Sequence, residues 1–311
     1  MRSSLDNPFS PGSDTVPLVW AGREAQLQDW EAVVRPRRLA GHTERGRTIL
    51  GEAGLGKSTL VRRIAVSARE RGDWVTPQLR IPVGSDPLKS VAAAVLRLAD
   101  DAGLAAGRER RIKELLERVR TIAVSGVSIT TDANPGPEPY AALTDLLVEI
   151  GRAAMDRDVV VLVHIDEVQN ITDEAVLSQL LVCLGDALSH EVRVTVPGGV
   201  ELDRVLPLAV YLTGLPDFAQ MAGARRGATF ARRFATTILP SIEDEDFRVA
   251  LRPFVSPGWP LSAGDDNAQR IRMEPEAAEL IVEACKGEPF LFQLAGERAW
   301  YAGTGPVITT D

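Results

Sequence analysis

Cysteine and histidine are scarce in this chain: Cys183 and Cys285 are the only thiols, and His42, His164 and His190 the only imidazoles. Both cysteines lie in apolar helical patterns, where buried free thiols are expected rather than a disulfide or a thiolate metal site. The histidines are scattered and suggest no metal cluster. No apolar run approaches a membrane span, and the opening Met1-Arg2-Ser3-Ser4-Leu5-Asp6-Asn7-Pro8 lacks the apolar core of a signal peptide. The expected compartment is the cytoplasm, with no membrane partner. Positive charge is also short: 35 Lys and Arg face 43 Asp and Glu, a net charge of −8. That balance argues against a surface built throughout for nucleic acid. Two local basic runs, at Arg35, Arg37 and Arg38 and at Arg108, Arg110, Arg111 and Lys113, read as solvated helix faces. No internal repeat is visible, and 311 residues suffice for one large domain or two small ones.

What is present is a glycine loop. Gly51-Glu52-Ala53-Gly54-Leu55-Gly56-Lys57-Ser58 fits G-x-x-x-x-G-K-[ST] in full. A chain of this length matches by chance roughly once in a hundred. Thr48, Ile49 and Leu50 before it read as a buried strand, and Thr59 to Ala68 after it as a helix with Leu60, Val61, Ile64 and Ala65 on one face. In that context the glycines let the backbone wrap close to phosphates, and N–H groups at the helix start point at them. Lys57 adds a point charge for the β- and γ-phosphates, and Ser58 a hydroxyl for Mg²⁺.

Around the loop the periodicity alternates. Residues 1–20 are rich in Pro, Ser, Gly and Asp and read as an irregular lead-in. A helix is expected from about Arg23 to Val34, ended by Arg35-Pro36. Trp74 to Val83 reads as an edge or interrupted strand because of Pro77 and Pro82. Helices follow around Val91–Leu98 and Ile112–Val119, then a strand or hairpin at Val124–Thr131, a loop from Asp132 to Pro139, and a helix from Tyr140 to Met155. Asp158 to Ile165 is an almost continuous apolar run, the mark of a strand buried on both faces of a parallel sheet. Thr172 is expected to cap a helix carrying Leu177, Leu180, Leu181, Leu184 and Leu188. A hairpin around Pro197-Gly198-Gly199 and strands at Leu206–Leu212 and Phe234–Leu239 complete the pattern. After Pro240 only helices are expected: Ser241 and Asp244 resemble a capping box, Pro275 and Gly287 bracket a second helix, and a last one spans Pro289 to Tyr301. The fold class is therefore α/β, a doubly wound parallel sheet of the P-loop type with an all-α lid. The expected division is a lead-in at 1–20, an αβ nucleotide-binding domain at 21–240, a helical lid at 241–303 and a tail at 304–311.

Asp166-Glu167 ends the apolar run. In a phosphate-loop ATPase an acidic residue at this place holds Mg²⁺, and a second carboxylate orients and polarises the attacking water. Asp166 is the candidate metal residue and Glu167 the candidate catalytic one.

With these residues in hand, the chain resembles AAA+ and STAND-type ATPases over about residues 17 to 303. Val19-Trp20-Ala21-Gly22-Arg23-Glu24 looks like their "GRE" box, and the glycine loop and Asp166-Glu167 match Walker A and Walker B. Tyr211-Leu212-Thr213-Gly214 ends a strand where the family carries its sensor-1 residue. Phe230-Ala231-Arg232-Arg233-Phe234 falls where initiator-class members carry an arginine before the last strand. Gly287-Glu288-Pro289 resembles the "GxP" lid motif of STAND proteins. The similarity is closest to bacterial ATP-binding proteins related to the origin-recognition ATPases and to STAND regulators.

That resemblance implies ATP or ADP as ligand with Mg²⁺, and residues 51–59 (Gly51 to Thr59), Arg23 and Pro289 as nucleotide contacts, Arg23 and Glu24 lying toward the adenine. It implies that Lys57, Glu167, Thr213 and an arginine finger, Arg233 or else Arg232, carry the chemistry, with Thr213 touching the γ-phosphate or the attacking water. Adenine over guanine follows from the resemblance alone; no N-K-x-D pattern is found. The lid departs from initiator-class proteins in reading Glu288-Pro289-Phe290 where they often place a sensor-2 arginine, and Arg298 lies about two turns further on. Many relatives continue into a winged-helix domain, whereas this sequence ends at Asp311, just after the lid.

The leading expectation is a nucleotide-controlled switch or assembly motor: ATP bound between the αβ domain and the lid, slow basal turnover, self-association through the ATP site and a protein partner. The alternative is a DNA-binding initiator or transposition-type regulatory ATPase that uses the two hairpins. A scaffold without turnover is disfavoured by the intact Asp166-Glu167 pair. A small-molecule kinase fits the "GRE" box, Thr213 and the lid poorly.

Overall fold

The computed structural model describes residues 2–12, 15–104, 114, 117–119, 139–218, 232–261 and 269–310. The expected hairpin at Val124–Thr131 and the loop at 132–138 lie outside them; residues 114 and 117–119 are helical. Contacts divide the chain into two compact units. The first gathers Met1–Ala25, Gly51–Arg62 and Leu239–Asp311, and the second gathers Gln26–Leu50 and Arg63–Ile238.

The second unit holds a parallel sheet of β1 (Gly46–Leu50), β2 (Trp74–Val75), β3 (Leu79–Arg80), β4 (Val161–Asp166), β7 (Leu208–Gly214) and β8 (Phe234–Ile238), ordered β2-β4-β7-β1-β8 with β3 also on β4. β4 and β7 are buried at every residue, as a strand covered on both faces must be. β2 and β3 are one edge strand broken at Pro77, which has no N–H for the ladder. Pairing resumes when the Ile81 N–H reaches the Asp166 carbonyl at 3.0 Å. A hairpin, β5 (Glu191–Val196) and β6 (Val200–Val205), turns at Gly198 and Gly199, both at positive φ.

Helices cover this sheet. The first continues past the expected stop at Arg35-Pro36: α1 (Glu24–Gln28) passes through a π-helical turn, Asp29–Val34, into α2 (Arg35–Leu39). There the Arg35 N–H bonds to the Trp30 carbonyl five residues back. The wider turn carries the chain past Pro36, which lacks an N–H and clashes in an ordinary helix. α3 (Lys57–Glu70) follows the glycine loop and α4 (Pro87–Asp101) starts at the cap Asp86, while α5 (Pro139–Met155) and α6 (Glu174–Leu188) lie further on. α6 is capped by Asp173 and not by Thr172, because the Asp173 carboxylate reaches the N–H groups of Ala175 and Val176 at 2.8 and 3.1 Å. At its other end the buried Arg38 guanidinium donates to the Leu188 carbonyl at 2.8 Å. Burial pushes the Arg38 pKa down to about 10, with Glu44 opposing.

The first unit packs α7 (Asp244–Val255), α8 (Pro275–Cys285) and α9 (Pro289–Tyr301) around Phe247, Phe254, Phe292 and Trp300. It also contains a small sheet, β9 (Trp259–Pro260), β10 (Arg270–Met273) and β11 (Val307–Ile308), beyond the expected helices. Glu243, not Ser241, precedes the first turn of α7, and Asp244, Glu245 and Asp246 complement its dipole. The lead-in is packed against this unit. Phe9 is buried, stacks on Phe254 at 5.3 Å and meets Phe292 edge-on at 6.1 Å. Its ring lies over Gly296, where an added Cβ would come within 2.3 Å. Gln293 accepts from the Ser10 N–H and donates to the Val19 carbonyl, and the Trp300 indole donates to the Ser3 carbonyl.

Phe9→Ala is expected to destabilise this unit by about 3 kcal/mol, read as a lower urea midpoint. Gly296→Val, which drives a side chain into the same ring, should act in the same direction. Near-wild-type midpoints for both would contradict a packed lead-in.

Candidate functional site

In the first unit the glycine loop is tied together by one of its own side chains. Lys57 Nζ donates to the carbonyls of Gly51 and Glu52 at 2.8 and 2.9 Å. Gly54 and Gly56 sit at φ of +85° and +77°, which residues with a Cβ rarely adopt. The Leu60 N–H returns to the Gly56 carbonyl at 2.8 Å, so α3 starts there. Its first turn, with Lys57, Ser58 and Thr59, has no carbonyl behind it within the helix to accept its N–H groups. The helix dipole adds positive potential at the same point.

The loop is braced by residues far away in sequence. Arg23, itself at a positive φ of 70°, donates from Nη2 to the Leu55 carbonyl at 3.2 Å. Burial lowers the pKa of its guanidinium, with Asp246 opposing, and among the described residues its buried Nε has no partner. Glu24 is exposed at the start of α1. On the lid side the Phe290 N–H approaches the Gly54 carbonyl at 3.4 Å. A Cβ on Gly54 would meet the Glu288 carboxylate at 3.0 Å, and one on Gly56 would lie 3.6 Å from the Pro289 ring. Pro289 and Glu288 thus stand close beside the loop. Arg298 is exposed.

In the second unit, strand register does the positioning. β4 pairs with β7 as His164↔Tyr211 and Ile165↔Leu212, and β7 pairs with β1 as Thr213↔Ile49 and Gly214↔Leu50. Asp166 and Thr213 thus end neighbouring strands at the end of the sheet where β1 hands the chain to Gly51. Asp166 Oδ1 accepts from the Thr213 hydroxyl at 2.5 Å and from the Glu167 N–H at 3.0 Å. Its Oδ2 lies 3.4 Å from Gln78 Nε2 and 3.7 Å from Arg80 Nε. Glu167 takes a left-handed backbone, φ 60°, and its carboxylate accepts from the Gln169 amide. The oxygen of the same amide accepts the Leu215 N–H at 3.1 Å, tying Glu167 to the strand end that carries Thr213.

Two residues here escaped the sequence reading. Gln169 carries no motif signal. His164 does: at two residues from Asp166 it shares that residue's face of β4. Its Nε2 lies 3.1 Å from the Thr213 hydroxyl. Burial pushes the imidazole pKa down to about 4, Asp166 opposing and Arg80 adding to the shift, so the ring is neutral near pH 7.

Arg233 sits before β8, ion-paired with Asp186 at 2.5 Å and 38% exposed; Arg232 is exposed. Cys183 and Cys285 are buried free thiols, pushed by burial up to about 12 and about 11.

The residues fit the groups that the motifs imply. The loop offers backbone N–H groups and one ammonium to an anion. Ser58 in the first unit and Asp166 in the second each carry a hard oxygen of the kind Mg²⁺ takes. Among the described residues no three His, Cys, Asp or Glu side chains are gathered as in a transition-metal site, and no helix is long and apolar enough to cross a membrane.

Comparison with curated protein sequences gives no match. Among solved structures the chain is similar to the ORC2 protein of Aeropyrum pernix in its ADPNP–ADP complexes, at 17% identity and TM-score 0.53 over 92% of this chain and 63% of that one. The ADP form of that protein gives 17% identity and TM-score 0.50 over 92% and 64%. The chain thus spans slightly less than two thirds of the length of these structures. At such identities the likeness is one of fold: a parallel sheet flanked by helices, followed by a largely helical region. A sequence model described as the AAA ATPase domain matches residues 19–196. That match covers more than half of the chain, which belongs to the AAA ATPase domain family.

Proposed function

We propose that the chain binds ATP on Gly51–Thr59, hydrolyses it slowly, and works as a nucleotide-controlled switch. The observation that carries this reading is the Lys57 ammonium, held at the mouth of a positive-φ glycine loop by two of the loop's own carbonyls. An incoming phosphate replaces those weak acceptors with charged oxygens. Arg23 and Pro289, which brace the loop, would line the nucleoside end. Asp166 and Ser58 would hold Mg²⁺, which when bound neutralises charge on the phosphate oxygens. Glu167 accepts a proton from the attacking water as its oxygen bonds to the γ-phosphorus. The bond to the ADP oxygen breaks, and Thr213 orients the water or the γ-phosphate.

The switch follows from what touches the loop. Glu288, Pro289 and the Phe290 N–H, at the start of α9, lie against Gly54 and Gly56. A change in the loop on nucleotide binding is therefore felt directly by a lid helix, as in the STAND-like reading. Arg233 is the candidate finger for a neighbouring copy. Its pair with Asp186 is at the surface, where such pairs contribute little, so exchange for a γ-phosphate costs little. The DNA-loading alternative asks for free cations on the hairpins. On β5–β6, Glu191, Glu201 and Asp203 outnumber Arg193 and Arg204, an acidic balance that favours the switch.

Lys57→Ala is expected to weaken ATP binding roughly 10- to 100-fold, the worth of one or two charge-assisted hydrogen bonds, measured by calorimetric titration. Unchanged affinity would remove the loop from the site. Glu167→Gln should keep ATP affinity while turnover falls by about 10²- to 10⁴-fold, measured by phosphate release; a near-normal rate would take Glu167 out of the role. Arg233→Ala should abolish any rise of specific activity with protein concentration; a rise that persists would sink the trans-arginine assignment.

A further inference from the structure

The apolar run of β4 has one polar interruption before its acidic end, and that residue is buried: His164 is 2% exposed, Thr213 0% and Asp166 1%. A buried imidazole is costly unless its N–H is satisfied. The partners of this one are defined by proton counting. The Thr213 hydroxyl has a single proton and gives it to Asp166 Oδ1. Facing His164 Nε2 at 3.1 Å, the same hydroxyl can therefore only accept. A ring proton must therefore lie on Nε2. The main chain of His164 is fixed as well, since its N–H donates to the Thr76 hydroxyl at 3.1 Å.

We infer that His164 is a positioning residue: its Nε2–H donates to Thr213 and thereby aims the Thr213 proton at Asp166, presetting the carboxylate for its cation. With Oδ1 committed to Thr213 and the Glu167 N–H, the remaining oxygen is turned toward the side of Gln78 and Arg80. Without the imidazole donor, the Thr213 hydroxyl keeps only its bond to Asp166, and the sensor and the carboxylate are held less firmly in one geometry. The arrangement parallels the way outer hydrogen bonds orient metal-ligating side chains. The inference rests on the proposed roles of Asp166 and Thr213, and adds a residue that touches neither nucleotide nor cation.

The first test is ¹⁵N NMR of the imidazole in the full chain without nucleotide or metal. The expected spectrum has a protonated Nε2 and a bare Nδ1, with the Nε2 signal moving in Thr213→Val. A bare Nε2, or an unmoved Nε2 signal, overturns the inference. The second test compares His164→Leu with His164→Gln, whose amide keeps a donor near the position of Nε2. In His164→Leu the Mg²⁺ concentration for half-maximal turnover should rise roughly tenfold, within the range that outer-shell changes give, while ATP affinity stays within about twofold. His164→Gln should restore most of the Mg²⁺ response. An unchanged Mg²⁺ response in His164→Leu, or a Gln variant as impaired as Leu, overturns it. Should His164→Leu not fold, His164→Asn, with its donor one bond short, replaces it against Gln. A wild-type chain with no ATP turnover would overturn the functional reading instead, and the imidazole spectrum separates that failure from this one.

Discussion

The parallel pairing of β4 with β7 and of β7 with β1 is the constraint on which the rest depends. A one-residue slip would turn every side chain to the opposite face of the sheet. It would part Thr213 from Asp166 and drop apolar neighbours beside a buried carboxylate. Burial alone does not prevent the slip, since β4 and β7 are buried on both faces and would bury apolar residues in either register. The polar groups at the strand ends do, because a slipped register would leave them buried without partners. The polar residues at the strand ends are tolerated because they satisfy one another: His164, Thr213, Asp166 and the Glu167 N–H form one connected set.

The phosphate loop obeys a different constraint. Its backbone needs positive φ at Gly54 and Gly56, and close approach by Pro289 and Glu288 leaves little room for side chains there. The loop belongs by its contacts to the same compact unit as α7, α8 and α9. A ligand that reshapes the loop therefore acts first on the residues that begin α9. The lead-in is part of this unit through Phe9, Ser10 and Ser3, so it contributes to the stability of the surface against which the loop rests.

Much of this was legible before any coordinates. The loop motif, the apolar run ending in Asp166-Glu167 and the change of pattern near Pro240 each have a local cause, and local causes are written in consecutive residues. What was missed depends on partners distant in sequence or on short elements. Phe9 lies in a Pro- and Ser-rich stretch, and its role needs Gly296 and Phe254, which no window around it contains. The strands β9 and β11 have two residues each, too few for a period to show. The π turn hid the passage through Pro36, because one wider turn keeps the helix going where an ordinary one must stop. His164 is isolated in the sequence, although its spacing from Asp166 places both on one face; the hydroxyl it serves sits on another strand.

We propose that one chain both binds ATP on the glycine loop and cleaves it with the carboxylates of the β4 end. The most direct measurement is a single-turnover experiment with γ-labelled ATP and excess purified chain in Mg²⁺ buffer, quenched over time and resolved for ATP, ADP and phosphate. The account predicts slow, complete conversion to ADP and phosphate in equal amounts, dependent on Mg²⁺. ATP that stays bound and intact through many hours would contradict it.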